Sequence, residues 1–126
     1  MIESSKKYLI DSNIFIYHLN GELLATRFLQ ENKNHSFISR LTFIEVLSFD
    51  FTEIEKQNVI NLLRQFSILD TTDNIAVKAL ENRNLKKIKL ADNIIASTAQ
   101  VNNLTLVTRN IKDFNNLEIK ILNIFE

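Results

Sequence analysis

The sequence predicts an α/β sandwich around a mostly parallel sheet of about five strands. Short apolar runs alternate along the 126 residues with longer stretches of helical pattern. No linker, internal repeat or low-complexity tract interrupts that alternation. Hydrophobic residues make up 45% of the chain, which places it among globular proteins and gives one domain over residues 1–126 a core of its own.

Taken in order, the first strand is Lys7–Ile10, where the apolar Tyr8-Leu9-Ile10 halts at Asp11-Ser12-Asn13. A second apolar run, Ile14-Phe15-Ile16-Tyr17, opens a helix over Asn13–Leu19, and another helix follows over Glu22–Asn32. The strand Ser36–Ile38 leads into a helix at Arg40–Phe49, and a further helix covers Glu53–Phe66. Ser67–Leu69 is the third strand, with helices at Thr72–Asn84 and Leu90–Val101 after it. Leu104–Thr108 and Ile119–Leu122 complete the sheet. In such sheets ligands bind beyond the carboxyl ends of the strands, where Asp11 stands.

Composition excludes several chemistries. Without Cys there is no disulfide framework, zinc-thiolate site or thiol nucleophile. Fifteen basic residues balance fifteen acidic ones, so attraction to nucleic acid must come from a local patch. The N-terminus, MIESSKKYLIDSN, lacks the apolar core and cleavage site of a signal peptide. No run approaches the roughly 18 apolar residues of a membrane span. A cytoplasmic location is the expectation. One Gly, no Pro and abundant Asn, Lys and Ile carry no functional reading.

Four acidic positions invite a chemical reading, each with a plainer alternative. Asp11 precedes a helix and fits an N-cap. Glu45 sits in SRLTFIEVLSFDF, where apolar residues surround the helix and only Thr42, Glu45 and Ser48 form a polar stripe. Such a helix is expected to be buried, so Glu45 needs either a metal or a cation such as Arg40 or Arg109. Asp92 suits the positive end of its helix dipole. It also shares a face with Ala96 and Ala99, small residues that allow close approach to the sheet. Asn110 and Asp113 either cap a short turn or add oxygen ligands at the same sheet edge. Converging carboxylates repel one another unless a cation neutralises them, and oxygen donors suit Mg²⁺ or Mn²⁺. An ion of that kind activates water and supports in-line displacement at phosphorus.

YLIDSNIFIYHLNG resembles the opening motif of PIN-domain nucleases. SRLTFIEVLSF resembles the family's second motif, with Thr42 and Glu45 in place. KIKLADNIIASTAQ and LVTRNIKDF are similar to the third and fourth. Their order, spacing and total length resemble the small bacterial toxins of the VapC type, over Tyr8 to Phe114. The resemblance implies a three-layer sandwich and a metal-dependent endoribonuclease held inactive by a VapB-type antitoxin, with homodimers common among relatives. It implies that Asp11, Glu45 and Asp92 ligate Mg²⁺ or Mn²⁺, with a fourth acid from the last motif. Here Asn110 stands where many relatives carry an acid. Asp113 is the preferred fourth acid and Asn110 a neutral support. Asn93 replaces the usual Ala and is expected to be tolerated. Ser12, Asn13 and Thr108 are expected to hydrogen-bond the carboxylates.

Lys86, Lys87 and Lys89 form either a solvated loop or, with Arg83 and Arg109, a set of RNA-phosphate contacts. His18 and His35 are read as structural or exposed, and Phe15, Tyr17 and Phe28 as core. Leu23, Leu24 and Phe28, with Ile60, Leu63 and Phe66, either pack on the sheet or receive a partner helix. Two rival readings remain. A phosphoacceptor receiver domain would use Asp70 but lacks the second acid beside Asp11 and a fitting Lys. A housekeeping RNA-processing nuclease would keep the fold and change the role.

Overall fold

A computed structural model describes residues 6–126. The first five residues, the start of the segment read above as leader-free, lie outside them. Five short strands form one sheet: β1 Tyr8–Ile10, β2 Ser36–Ser39, β3 Ser67–Leu69, β4 Thr105–Val107 and β5 Ile121–Leu122. Six α-helices connect and flank them: α1 Ser12–Leu19, α2 Leu23–Asn32, α3 Arg40–Leu47, α4 Glu53–Leu63, α5 Asp73–Leu85 and α6 Leu90–Val101. Single 3-10 turns occur at Lys33–His35 and Ile111–Phe114.

The spatial order is β3-β2-β1-β4-β5, and every pairing is parallel. The chain builds outward from β1 to β3, then crosses back to lay β4 on the other side of β1. That reversal makes the carboxyl ends of β1 and β4 the topological switch point, where open α/β sheets place their ligands.

Both sheet faces are covered, which is why the strands read as continuous apolar runs. Side chains alternate across the sheet. Ile10 and Val107 point into one core with Ile14, Phe15, Leu29, Leu63 and Phe66. Leu9 and Leu106 point into the other, with Ile95, Ala96, Ala99 and Phe114. Ala96 and Ala99 are wholly buried, as their small size on the sheet-facing side of α6 predicts.

Local chemistry sets the helix starts. Ser39 caps α3 through Leu41 N, Thr52 and Glu55 close a capping box on α4, and Thr72 caps α5 through Ile75 N. Among the described residues no helix is long and apolar enough to cross a membrane.

One expectation is corrected here, and one open alternative is divided. The helix bearing Glu45 is not buried all round: it ends at Leu47, with Ile44 54% and Phe49 56% exposed and Glu45 only half-buried. Among the described residues no element covers Ile44 or Phe49. The six apolar residues offered to a partner also divide. Leu63 and Phe66 belong to the core, whereas Leu23 and Leu24 lie exposed on α2.

Candidate active site

Asp11 lies at the switch point, one residue beyond β1, and is 6% exposed. Its backbone N–H donates to Val107 O at 3.0 Å, tying it to the neighbouring strand. Each carboxylate oxygen accepts one hydrogen bond. Ser12 N donates to Oδ1 at 2.8 Å, and Thr108 Oγ1 donates to Oδ2 at 2.8 Å. Asp11 is thus both the N-cap residue of α1 and the floor of an acidic site, so the two readings of its position coexist.

Thr108 organises this floor from the end of β4. Its wholly buried hydroxyl accepts from Asn13 Nδ2 at 3.2 Å and from Asn110 N at 3.0 Å while donating to Asp11. Glu45 reaches in from α3, with Oε1 accepting from Ser12 Oγ. Neither expected cationic partner engages Glu45. Arg40 pairs with Asp70 at 2.7 Å on the surface, and Arg109 lies over the rings of Tyr17 and Phe125, 5.0 and 4.4 Å from their centroids.

The electrostatics tie the four acids together. Burial raises the pKa of Asp11 from its ordinary 3.8 to about 6, opposed by the Thr108 and Ser12 hydrogen bonds and reinforced by the charges of Glu45 and Asp92. Asp92, half-buried at the start of α6, is also raised, by burial and by the charges of Asp113 and Glu45, against the pull of Lys89 and Lys86. Among the described residues these acids form no ion pair and do not close into a tight cation cage.

The donor set fits a hard divalent ion: carboxylate oxygens without nitrogen or sulfur. Among the described residues the buried Oδ1 of Asn13 and Oγ1 of Thr42 have no hydrogen-bond partner. Asn13 lies two residues from Asp11, with its Nδ2 on Thr108, so its open oxygen is available to a hydrated ligand at the acidic site.

Asp113 is exposed on the 3-10 turn Ile111–Phe114 and bears on Asp92 through its charge. Asn110 precedes the turn with no side-chain cap bond, and only its backbone N–H engages Thr108. Glu45 also borders a cleft of about 480 Å³ shared with Ser12, Asn13, Ile16, Ile44, Ser48 and Phe49. A larger cleft of about 650 Å³ lies at the amino ends of the strands and has no acid in its lining.

A family model of the PIN domain matches residues 8–120. The chain belongs to the PIN-domain family. This PIN domain is 31% identical over 113 residues to Ribonuclease VapC10 of Mycobacterium tuberculosis, with 84% of each chain covered. It superposes on a toxin–antitoxin complex from Klebsiella pneumoniae with a TM-score of 0.85 and 32% identity, covering 95% of this chain and 99% of that one. VapBC-1 from nontypeable Haemophilus influenzae, 22% identical, shares the fold at a TM-score of 0.78, over 94% of this chain and 98% of that one. The receiver reading falls with this result. Asp70, its would-be phosphoacceptor, lies just beyond the edge strand β3 in an exposed ion pair with Arg40.

Two residues of this PIN domain do more than their sequence context suggests. Asn93 is 4% exposed. It donates to Ala79 O at 2.8 Å and accepts at Oδ1 from Asn82 and Ser97, both at 3.2 Å. Asn82, in the same network, also meets Ser97 Oγ and Gln100 Oε1, stitching α5 to α6. Lys86 does not stand free for a phosphate. Its ammonium donates to Asp113 O at 3.3 Å and to Asn115 O and Oδ1, both at 3.0 Å. Lys87, Lys89 and Arg83 remain exposed. His18, beside Thr26 Oγ1 at 2.7 Å, and His35, beside Asn32 Oδ1, lie in local contacts outside the acidic site.

Proposed function

We propose that this PIN domain is an endoribonuclease that acts in the cytoplasm as the toxin of a VapBC-type pair, hydrolysing RNA phosphodiester bonds with a divalent ion. The observation that supports it most is Asp11: a buried carboxylate at the switch point, both oxygens hydrogen-bonded, beside three more acids without a basic partner among the described residues. Asp11, Glu45, Asp92 and Asp113 would hold Mg²⁺ or Mn²⁺. Such an ion, when bound, stabilises charge on phosphoryl oxygens and promotes ionisation of water.

The chain's own groups perform the remaining work. Thr108 and Ser12 fix the plane of the Asp11 carboxylate, so its oxygens do not reorganise during the reaction. The Ser12 hydroxyl orients Glu45 through Oε1, leaving Oε2 to take a proton from the attacking water. Water, and not the RNA 2′-hydroxyl, attacks phosphorus in line with the 3′-oxygen; the P–O3′ bond breaks and the leaving oxygen takes a proton from solvent, which gives 5′-phosphate and 3′-hydroxyl ends. Lys87, Lys89 and Arg83 supply positive charge along the approach of the RNA backbone. The exposed Leu23 and Leu24 of α2 and the apolar wall of the Glu45 cleft suit an antitoxin helix, and the working unit is a homodimer.

The test is cleavage of a mixed structured RNA pool by purified protein and by Glu45→Gln, with Mg²⁺, Mn²⁺ or EDTA. The expected result is cutting by the wild type alone, abolished by EDTA. Cutting that survives EDTA, or undiminished cutting by Glu45→Gln, would overturn the assignment.

A further inference from the structure

Lys86 was open to two readings, a solvated charge or a phosphate contact, and its geometry matches neither. An ammonium has three N–H donors, and here three oxygens receive them: the carbonyls of Asp113 and Asn115 and the side chain of Asn115. Lys86 is the C-cap residue just beyond α5, its backbone N–H donating to Asn82 O at 3.0 Å, and the Asn82 side chain is locked to Asn93, Ser97 and Gln100 of α6. The end of α5 therefore grips two elements at once. Asn82 holds the helix that carries Asp92, and Lys86 holds the turn that carries Asp113. Gln100 closes the frame from the other side by donating to Glu118 O at 3.1 Å.

We propose that Lys86 is a positioning residue that sets the separation of Asp92 and Asp113 by anchoring the backbone of the turn Ile111–Phe114 to α5. The inference rests on the reading of these acids as a divalent-ion site. At its start the turn is tied to β4 by the Asn110 N–H on Thr108 Oγ1, but Asn110 makes no side-chain cap bond, and Ile111, Lys112 and Asp113 are exposed. Phe114 is the turn's wholly buried residue and anchors it in the core. A backbone grip leaves the Asp113 carboxylate free to face a ligand while fixing where it starts from.

The sign of one measurement separates this role from the alternatives. Lys86 also places a positive charge near Asp92. If charge were its whole contribution, Lys86→Met would make the site more negative and Mn²⁺ would bind tighter. If Lys86 met RNA phosphates, Lys86→Met would raise KM and flatten the salt dependence without weakening Mn²⁺. A positioning role predicts the opposite pattern: Mn²⁺ affinity falls about tenfold and kcat falls with it, while KM and the salt slope stay put.

The experiment is Mn²⁺ titration followed by electron paramagnetic resonance on wild type, Lys86→Met, Asn115→Ala and the double variant, with RNA kinetics alongside. Amide hydrogen exchange of residues 111–115 is the readout that needs no ion, and it should speed up in Lys86→Met. Asn115→Ala should move Mn²⁺ affinity the same way by a smaller factor, and the double variant should add little to Lys86→Met. Tighter or unchanged Mn²⁺ binding by Lys86→Met, with wild-type exchange in the turn, would sink the proposal. A wild type that neither binds Mn²⁺ nor cuts RNA would instead sink the functional reading beneath it.

Discussion

Asp11 and Asp113 mark two ways of placing an acid in the same site. Asp11 is buried, and its two oxygens and its backbone N–H are all engaged by groups on β4 and α1. Asp113 is exposed, and what is held is the carbonyl of its main chain, gripped by Lys86. The first arrangement carries a large electrostatic penalty, visible in a pKa raised to about 6. The second leaves its carboxylate exposed to water. The difference teaches that rigidity and charge are supplied separately here. The β1–β4 half is pre-set and strained by its charge, whereas the α5–α6 half is set by backbone and amide contacts.

The largest expected effect comes from removing the charge from the rigid half. Asp11→Asn keeps the shape and should lower metal-dependent RNA cleavage by at least about a hundredfold, since loss of a mere supporting group costs that order. In EDTA the same change should remove a charge penalty that grows with pH, while the Asn side chain, with a single acceptor oxygen, forfeits one of the two hydrogen bonds at every pH. The folded carboxyl keeps its proton up to about pH 6, whereas the unfolded one loses it near 3.8. The native state thus binds the extra proton between these values, and stability falls as pH rises through that window, by about 3 kcal/mol in all. Urea denaturation in EDTA at pH 4 and pH 7 checks it. The gap between wild type and Asp11→Asn should open with pH, and a gap independent of pH would contradict the account. The pKa of Asp92 shifts in the same direction, so some of this slope should persist in the variant.

Thr108→Val sharpens the comparison at the next level of effect. The hydroxyl serves Asp11, Asn13 and the Asn110 N–H together, and all three lose a partner in the variant. Stability should drop by about 1–3 kcal/mol, the usual cost of stranding buried polar groups. The Thr108 bond also lowers the pKa of Asp11, so its removal should move the pH window upward. Cleavage should fall about tenfold at pH 7 and recover part of that loss at higher pH. A variant with a wild-type pH profile would mean that Thr108 is structural and nothing more.

The rigid half was also the more legible one. A strand that stops at Asp-Ser-Asn, and a later strand that ends in Thr108, announce a switch-point site because strand ends are readable from apolar runs. All five strands and six helices stand close to where periodicity puts them. The sequence misled where the outcome turned on what another element covers. The apolar girdle of α3 reads as burial, yet periodicity reports the character of a face and not its neighbour, and Ile44 and Phe49 stay exposed. Asn93 reads as a tolerated replacement for Ala, but its partner Asn82 lies on a different helix and supplies the donor that explains it. Lys86 sits in a run of charge that normally means solvent, and its acceptors are nearly thirty residues away. Such pairings are long-range and polar, and a single chain carries no local pattern for them.

The smallest expected effect concerns the fourth acidic position, where Asn110 stands in place of an acid. The Asn110 contact at the site comes from its backbone N–H, which any residue except Pro provides. Asp113, by contrast, is felt by Asp92 as charge. Asn110→Ala should therefore leave Mn²⁺ affinity and cleavage within about twofold of wild type, while Asp113→Ala weakens both several-fold. Asn110→Asp adds an acid next to a site already raised in pKa by its own charges. If Asn110 occupies the ligand position, that change should tighten Mn²⁺ binding and Asn110→Ala should weaken it. If Asp113 serves, the added charge should chiefly lower metal-free stability at neutral pH, and the two halves keep the division of labour that their contacts imply.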